Sequence, residues 1–241
     1  MMYHMKRILP GVLPFLLMAF IAVHEGKRTK ISDPPANPAG GISYDSCKSY
    51  AGKMRLSLKS SLQAKTINED SVARAYTGLM INHIIPHWYG TAWDFNGYTA
   101  IPGKGTVACG YFVSTTLLHS GMKLNRYKMA QKSSMDGALM LEPKDSLFIK
   151  YSDRDEFLKV FGQKFRDGLY MVGLSFHVGY LYKSGKSVFF IHSSYLDPTC
   201  VVQEKASASE ALGQSKVFVV ADITHNRPLI EKWLNNENIK H

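Results

Sequence analysis

The amino-acid sequence predicts an α+β domain in which helices come first and pack on a C-terminal antiparallel sheet. Apolar residues recur at helical spacing up to about residue 168, and the period changes to two from Leu169 onward. Helical segments followed by a run of short strands are typical of the α+β class. The 45% apolar and 12% aromatic content supplies enough apolar surface for the core that such a domain requires.

The composition also excludes several classes of protein. The chain has 241 residues, with 20% charged residues, 19 Gly, 10 Pro and 3 Cys. It therefore lacks the biases of collagen-like, low-complexity, disulfide-rich and disordered proteins. The net charge is +10, but there is no basic stripe with interleaved aromatic residues, so no nucleic-acid partner is predicted.

The N-terminus has the pattern of a targeting segment. Lys6 and Arg7 precede an uncharged apolar run at 8–23, which is the layout of a secretory signal and is shorter than the roughly 20 residues that cross a bilayer. Phe20 stands where a cleavage site prefers a small residue, so an uncleaved anchor is the alternative. Removing residues 1–30 lowers the net charge to +6.

This pattern predicts a secreted or periplasmic protein that touches the membrane only through residues 1–30. A Pro/Gly-rich linker at 31–43 follows, and residues 44–241 are expected to form a single domain.

The remaining elements follow from periodicity and from end signals. Helices are predicted at 44–64, 68–84, 106–121 and 152–168, with a closing helix at 227–238. Strands are predicted at 169–183, 187–195, 200–206 and 216–223. In the third helix Thr106 is the expected N-cap and Gly121 the expected stop.

Cys109 is the first candidate functional residue. It is expected in the first turn of the third helix, where free N–H groups and the helix dipole lower the pKa of a thiol. Gly110 would allow a substrate backbone to approach closely. The alternative is that Cys109 is a small core residue, as most free cysteines are.

Two histidines strengthen the functional interpretation. A two-residue loop at 184–185 would pair Lys183 with Lys186 and so place His177 directly opposite His192, with Cβ atoms about 5 Å apart. A thiol, a base and a group that orients the base are the parts of a catalytic triad. Cys109 is then the nucleophile, His177 the base and His192 the orienting group, although a zinc site made of these three residues is an open alternative.

The order of these motifs resembles that of the NlpC-type cell-wall cysteine peptidases of the papain-like superfamily. The matching segments lie within about residues 86–195. They read Trp88-Tyr89-Gly90, Cys109-Gly110-Tyr111, Phe176-His177-Val178-Gly179 and Phe190-Ile191-His192.

The resemblance implies a papain-like fold and hydrolysis or transfer of an amide bond in an envelope peptide such as a peptidoglycan stem. It implies the same three catalytic residues and places Tyr89 against the catalytic centre. Gly110, from its position after Cys109, and Trp93, which could form the floor of the cleft, are the other candidate substrate-binding residues. No cofactor or metal is predicted, and we expect a monomer. A catalytically inactive binding module on the same fold is the remaining alternative.

The sequence departs from the family at two places. The family usually has polar residues on both sides of the nucleophile, whereas this chain reads Ala108-Cys109-Gly110. The stretch 122–168 is a long insert, interpreted as an extra structural layer or a lid.

Glu204 could bind a substrate amine, but its alternation with Gln203 favours a surface position. Finally, Cys47 and Cys200 could pair in an oxidising compartment, which would leave Cys109 free.

Overall fold

The protein is described here by a computed structural model that covers residues 41–141, 147–150 and 153–239. The predicted signal or anchor at 1–30 and most of the linker at 31–43 lie outside these described residues. So do residues 142–146 and 151–152 of the insert.

Eight α-helices occupy the described part of the chain. They are α1 (Tyr44–Gln63), α2 (Glu69–Leu79), α3 (Cys109–His119), α4 (Arg126–Ala130), α5 (Ser134–Leu141), α6 (Arg154–Lys164), α7 (Glu210–Gly213) and α8 (Arg227–Asn235). The helix predicted at 68–84 ends its α-helical part at Leu79 and continues as a π-helical turn and a 3₁₀ turn to Trp88. Among the described residues, no helix combines the length and the apolar character needed to cross a membrane.

Six antiparallel strands form one sheet. They are β1 (Leu147–Lys150), β2 (Gly168–Leu174), β3 (Val178–Ser184), β4 (Ser187–Ser193), β5 (Val201–Lys205) and β6 (Val217–Asp222). Their order across the sheet is β1-β6-β2-β3-β4-β5. The predicted α+β class and the antiparallel sheet are confirmed.

The strand predicted at 169–183 is wrong, because the chain reverses in the middle of it. Gly173 pairs with Val178, and Leu174 donates its N–H to the carbonyl of His177 at 2.8 Å. The turn consists of Ser175 and Phe176, a pair without glycine, asparagine or proline, so the usual signals of a tight turn are absent from the sequence.

Both faces of the sheet are buried. Val178, Tyr180 and Ile191 pack with α3 on one face, and the hydroxyl of Tyr180 lies 2.8 Å from that of Thr116 on this helix. On the other face, Phe157 of α6 stacks on Phe218 of β6 with ring centroids 4.1 Å apart.

The segment 122–168 is therefore built into the domain. It supplies β1 at the edge of the sheet, and its helix α6 buries Phe157 and Phe161 in the core of the second face. The helices α4 and α5 of the same segment lie on the α3 side, where α5 contacts β2.

The register predicted for β3 and β4 is wrong by one loop residue. Ser184 pairs with Ser187, so Gly185 and Lys186 form the loop, and Gly185 has a φ of +57°. A type II′ turn takes glycine at its first loop position, whereas the sequence interpretation had placed Gly185 second. Asp167 holds this turn through the N–H of Gly185 at 2.8 Å.

Candidate active site

Cys109 is the first residue of α3. The predicted N-cap Thr106 is wrong, since Ala108 occupies the capping position and no side chain caps the helix. Thr106 instead forms a bridge with Ala92, and the carbonyl of Ala108 accepts the first helical hydrogen bond, from Phe112.

This uncapped terminus distinguishes α3 from the other α-helices of the described chain. Each of those has a side chain that accepts a hydrogen bond from its first turn. The capping residues are Ser43, Asn68, Asn125, Ser133, Asp153, Ser209 and Asn226. A side-chain cap would compete for the first-turn N–H groups of α3. Without one, these groups can stabilise a negative charge at the start of the helix.

The surroundings of the Cys109 thiol act in both directions on its pKa. Burial raises the pKa, while the backbone N–H groups of Val178, Gly110 and Cys109 itself lower it. Because the effect of burial is larger, the sulfur is a neutral thiol at neutral pH. The N–H of Val178 also places the sulfur beside the first residue of β3, which directly follows His177.

His177 and His192 form a close pair. Nε2 of His177 lies 2.8 Å from Nδ1 of His192, and the two rings are nearly perpendicular with centroids 4.9 Å apart. Both side chains are buried, with 3% and 1% of their surface exposed. The predicted direct opposition is wrong, because the observed register extends to place Gly179 opposite His192.

The pair forms in spite of this shift for two reasons. A one-residue change in the loop moves each cross-strand pair by two positions, which leaves every side chain on its original face. Diagonal neighbours also remain within reach of long side chains. Gly179 makes the room, since a Cβ there would lie 2.9 Å from Cβ of His192 and 2.6 Å from Cε2 of Phe190.

Glu204 extends the histidine pair into a chain of three side chains. It pairs with Phe190 across β4 and β5, so its side chain lies on the same face as His192. Its Oε1 is 3.1 Å from Nε2 of His192. Sequence reasoning favoured a surface position for Glu204. Strand alternation places Glu204 and His192 on the same face of the sheet. This pattern is the signal that could have identified the contact, but only with the register of β5 known.

Burial keeps both histidines neutral at neutral pH. It lowers the pKa of His177 well below its ordinary value, and the nearby His192 lowers it further. Burial also lowers the pKa of His192, although the hydrogen bond with Glu204 opposes this effect. In mild acid, the unfolded chain therefore binds protons at His177 and His192, whereas the folded chain leaves both imidazoles unprotonated.

This difference predicts that the protein loses stability in mild acid. Below the ordinary histidine pKa of 6.5, each such group lowers the free energy of unfolding by up to about 1.4 kcal/mol per pH unit. Urea unfolding at pH 7.5 and 5.5 should show this loss, and it should be smaller by about 1.4 kcal/mol in His177→Gln. An equal loss in the two proteins would contradict the neutral state of His177.

Aromatic side chains surround the histidine pair. The ring of Tyr195 lies 5.2 Å from that of His177, and the ring of Phe190 stacks on His192 at 4.1 Å. Trp93 lies 6.2 Å from Tyr195 and so borders the site through that ring. Phe176, at the tip of the hairpin before His177, is 97% exposed. The rim beside His177 is therefore aromatic. The sequence did not identify Tyr195 as a site residue. Its position beside His177 depends on where β4 ends, which is at Ser193.

Tyr89 and Gly110 are held by contacts within the protein. The Tyr89 hydroxyl donates to Oε1 of Gln203 at 2.8 Å, and Gln203 alternates with Glu204 along β5, so Tyr89 lies on the opposite face of that strand from His192. A Cβ at Gly110 would lie 2.7 Å from the carbonyl oxygen of Ala130. Close packing of α3 on α4 thus accounts for the glycine.

The pairing considered for Cys47 and Cys200 is wrong, since all three cysteines are free thiols. The two residues have different neighbours. Cys47 lies in α1 with its sulfur 3.4 Å from Nε2 of His87, whereas Cys200 forms a bridge with Ala92 just before β5.

The donor set does not favour the zinc alternative. Across the described residues, no three His, Cys, Asp or Glu side chains converge in the manner of a metal site. Nε2 of His177 and Nδ1 of His192 share one hydrogen bond, so neither of these two nitrogens is available to bind an ion. A cavity of about 180 Å³ between α2 and α8 includes none of the site residues in its lining.

Comparison of the chain with family models, with curated proteins and with solved structures finds no significant match. The function must therefore be argued from the geometry of the site. That geometry combines a thiol at an uncapped helix start with a chain of hydrogen bonds that runs from His177 through His192 to Glu204.

Proposed function

We propose that the protein is a thiol hydrolase that cleaves an amide bond in a cell-envelope peptide, with Cys109 as nucleophile, His177 as general base and His192 as the orienting residue. The observation that carries this proposal is the hydrogen-bonded histidine pair adjoining Val178, whose N–H faces the Cys109 sulfur. A thiol, a neutral imidazole and a third group behind the imidazole are what acyl transfer by cysteine requires.

The protonation states favour general-base catalysis over a preformed ion pair. Burial raises the pKa of the Cys109 thiol and lowers that of His177, so both groups are neutral before reaction. In the described chain, the Cys109 sulfur makes no hydrogen bond to an imidazole nitrogen. Catalytic hydrogen bonds often shorten only in the substrate complex, and the proton transfer would then accompany attack on the substrate carbonyl.

The reaction would proceed through an acyl-enzyme. The thiol proton moves to His177 as the sulfur attacks the carbonyl carbon, and the carbonyl oxygen becomes an oxyanion near the N–H of Cys109 at the uncapped start of α3. His177 then returns the proton to the leaving amine when the C–N bond breaks. Water, deprotonated by the same imidazole, releases the acyl group and regenerates the thiol.

The finer features of the assignment rest on the sequence resemblance to NlpC-type peptidases. We propose a papain-like arrangement, supported by a nucleophile helix that packs on an antiparallel sheet with the two histidines near the end of adjacent strands. The basic targeting segment supports secretion or a periplasmic location, and membrane contact only through that segment. The substrate is proposed to be a peptidoglycan stem peptide or a similar envelope amide, and the protein is proposed to act as a monomer.

The aromatic rim bears on how such a substrate would bind. The side chain of Phe176 is almost fully exposed to water. Phe176 adjoins the proposed base, and Trp93 lies on Tyr195 beside it. These aromatic side chains can contact the apolar parts of a peptide, and they take the place of the polar flanks that the nucleophile lacks.

The envelope substrate is tested by digestion of purified peptidoglycan. The full chain should release fragments with new amino and carboxyl termini, detected by mass spectrometry, and Cys109→Ser should release none because serine is not activated at this site. Cys200→Ser is the matched control, since it removes a half-buried thiol outside the site and should digest normally. The absence of new termini with the unmodified chain would contradict the envelope substrate.

A further inference from the structure

Glu204 is a half-buried carboxylate that the proposed mechanism does not yet use. Its Oε1 lies 3.1 Å from Nε2 of His192, and only 27% of its side chain is exposed. Burial would raise the pKa of Glu204, but hydrogen bonds from His192 and Ser209 bring it below its ordinary value. The carboxylate is therefore ionised at neutral pH and acts only as a hydrogen-bond acceptor.

An ionised Glu204 determines where each imidazole carries its proton. The hydrogen bond to Glu204 requires a proton on Nε2 of His192. Since His192 is neutral, its Nδ1 then has a free lone pair and must accept the hydrogen bond from His177 at 2.8 Å. His177 consequently carries its own single proton on Nε2, and its Nδ1 is left without one.

The unprotonated nitrogen is the only one on His177 that can accept a proton. Nε2 carries its own proton and is directed at His192, so a base at this position must act through Nδ1. The next residue along the chain, Val178, directs its N–H at the Cys109 sulfur. The nitrogen that remains basic therefore belongs to the residue adjacent to one that contacts the thiol.

We propose that Glu204 is a positioning residue that sets the tautomers of His192 and His177, so that Nδ1 of His177 is the atom that removes the proton from the Cys109 thiol. This inference rests on the proposed function. In the step, the S–H bond breaks, an N–H bond forms at Nδ1, and the sulfur electron pair bonds to the substrate carbonyl carbon. The positive charge that develops on His177 is stabilised through His192 by the carboxylate.

Two variants separate the charge of Glu204 from its role as acceptor. Glu204→Gln keeps an oxygen that can accept from Nε2 of His192 but removes the charge. Glu204→Leu removes both. Glu69→Gln is the matched control, because it removes a carboxylate that pairs with Arg227 beside the cavity between α2 and α8, whose lining contains none of the site residues.

The tautomers are measured in the full chain by ¹H–¹⁵N spectra of ¹⁵N-labelled histidine, a signature that a purely structural role of Glu204 would not change. The wild type should carry the proton on Nε2 of both histidines. Glu204→Gln should keep this state, whereas Glu204→Leu should lose it. A proton on Nδ1 of His177 in the wild type overturns the proposal, and this test requires no variant to fold.

The base role is measured by the rate at which iodoacetamide modifies Cys109 at neutral pH. The rate should fall about tenfold in Glu204→Gln and about a hundredfold in Glu204→Leu, and should be unchanged in Glu69→Gln. Wild-type rates in both Glu204 variants would overturn the proposal. If Cys109 is unreactive in the wild type while the tautomers are as proposed, the thiol hydrolase is contradicted and the effect of Glu204 on the imidazoles stands.

Discussion

Replacing His177 with alanine is expected to slow the modification of Cys109 by iodoacetamide at neutral pH by about a hundredfold. The thiol has no other base beside it among the described residues, and burial raises its pKa. Without the imidazole, little thiolate would form at neutral pH. The rate is measured by mass spectrometry of the peptide that contains Cys109.

Cys200 provides an internal control in the same experiment. Burial raises the pKa of its thiol as well, but no histidine contacts it in the described chain. Cys109 should therefore react faster than Cys200 in the wild type and no faster in His177→Ala. If His177→Ala leaves the rate of Cys109 unchanged, His177 is not the base. His119→Ala, which removes a histidine on α3 outside the site, should leave the rate at its wild-type value.

Replacing Arg126 with methionine is expected to lower the free energy of unfolding by about 3 kcal/mol. Only 7% of Arg126 is exposed. Its guanidinium donates to the carbonyls of Tyr98 and Thr99 at 2.6 and 3.3 Å and to the hydroxyl of Thr115 at 2.6 Å. Methionine fills a similar volume but leaves these three oxygens without their donor.

The loss should also affect the site. Arg126 stabilises the segment that leads to Cys109. It donates to the carbonyl of Tyr98, and Tyr98 forms a bridge with Val107, two residues before the thiol. Unfolding in urea measures the stability, with Arg74→Met as the matched control. Arg74 is exposed and donates only to Ser71, so its loss should cost less than about 0.5 kcal/mol. A similarly small effect at Arg126 would contradict its structural role.

Local signals in the sequence were sufficient for the class of the fold and for most of its elements. Helical spacing predicted α1, α3, α6 and α8 close to their observed bounds, and alternation predicted β4, β5 and β6. These signals depend on which residues face the core, which is a local property. The short helices α4 and α5 and the four-residue strand β1 carry too few residues for a period to be recognised.

The errors within the sheet occurred where a turn decided the outcome. The reversal at Ser175 and Phe176 has no recognisable turn residue, so the hairpin of β2 and β3 was interpreted as one strand. At the next turn the glycine was recognised but assigned to the second loop position instead of the first. A one-residue error in a loop moves every pair in the ladder, although it keeps each side chain on its face.

The sequence by itself determined that a cysteine would stand at the start of a buried helix and that His177 and His192 would share one face of a hairpin. Helix starts and strand alternation follow from a few adjacent residues, which is why these features could be derived. Only the tertiary structure decided that Gly179 opens the space in which the two imidazoles meet, and that Glu204 lies behind them. Those contacts depend on the registers of β3, β4 and β5. A register is set by the geometry of the turn and by the pairing of whole strands, which strand alternation within one segment does not specify.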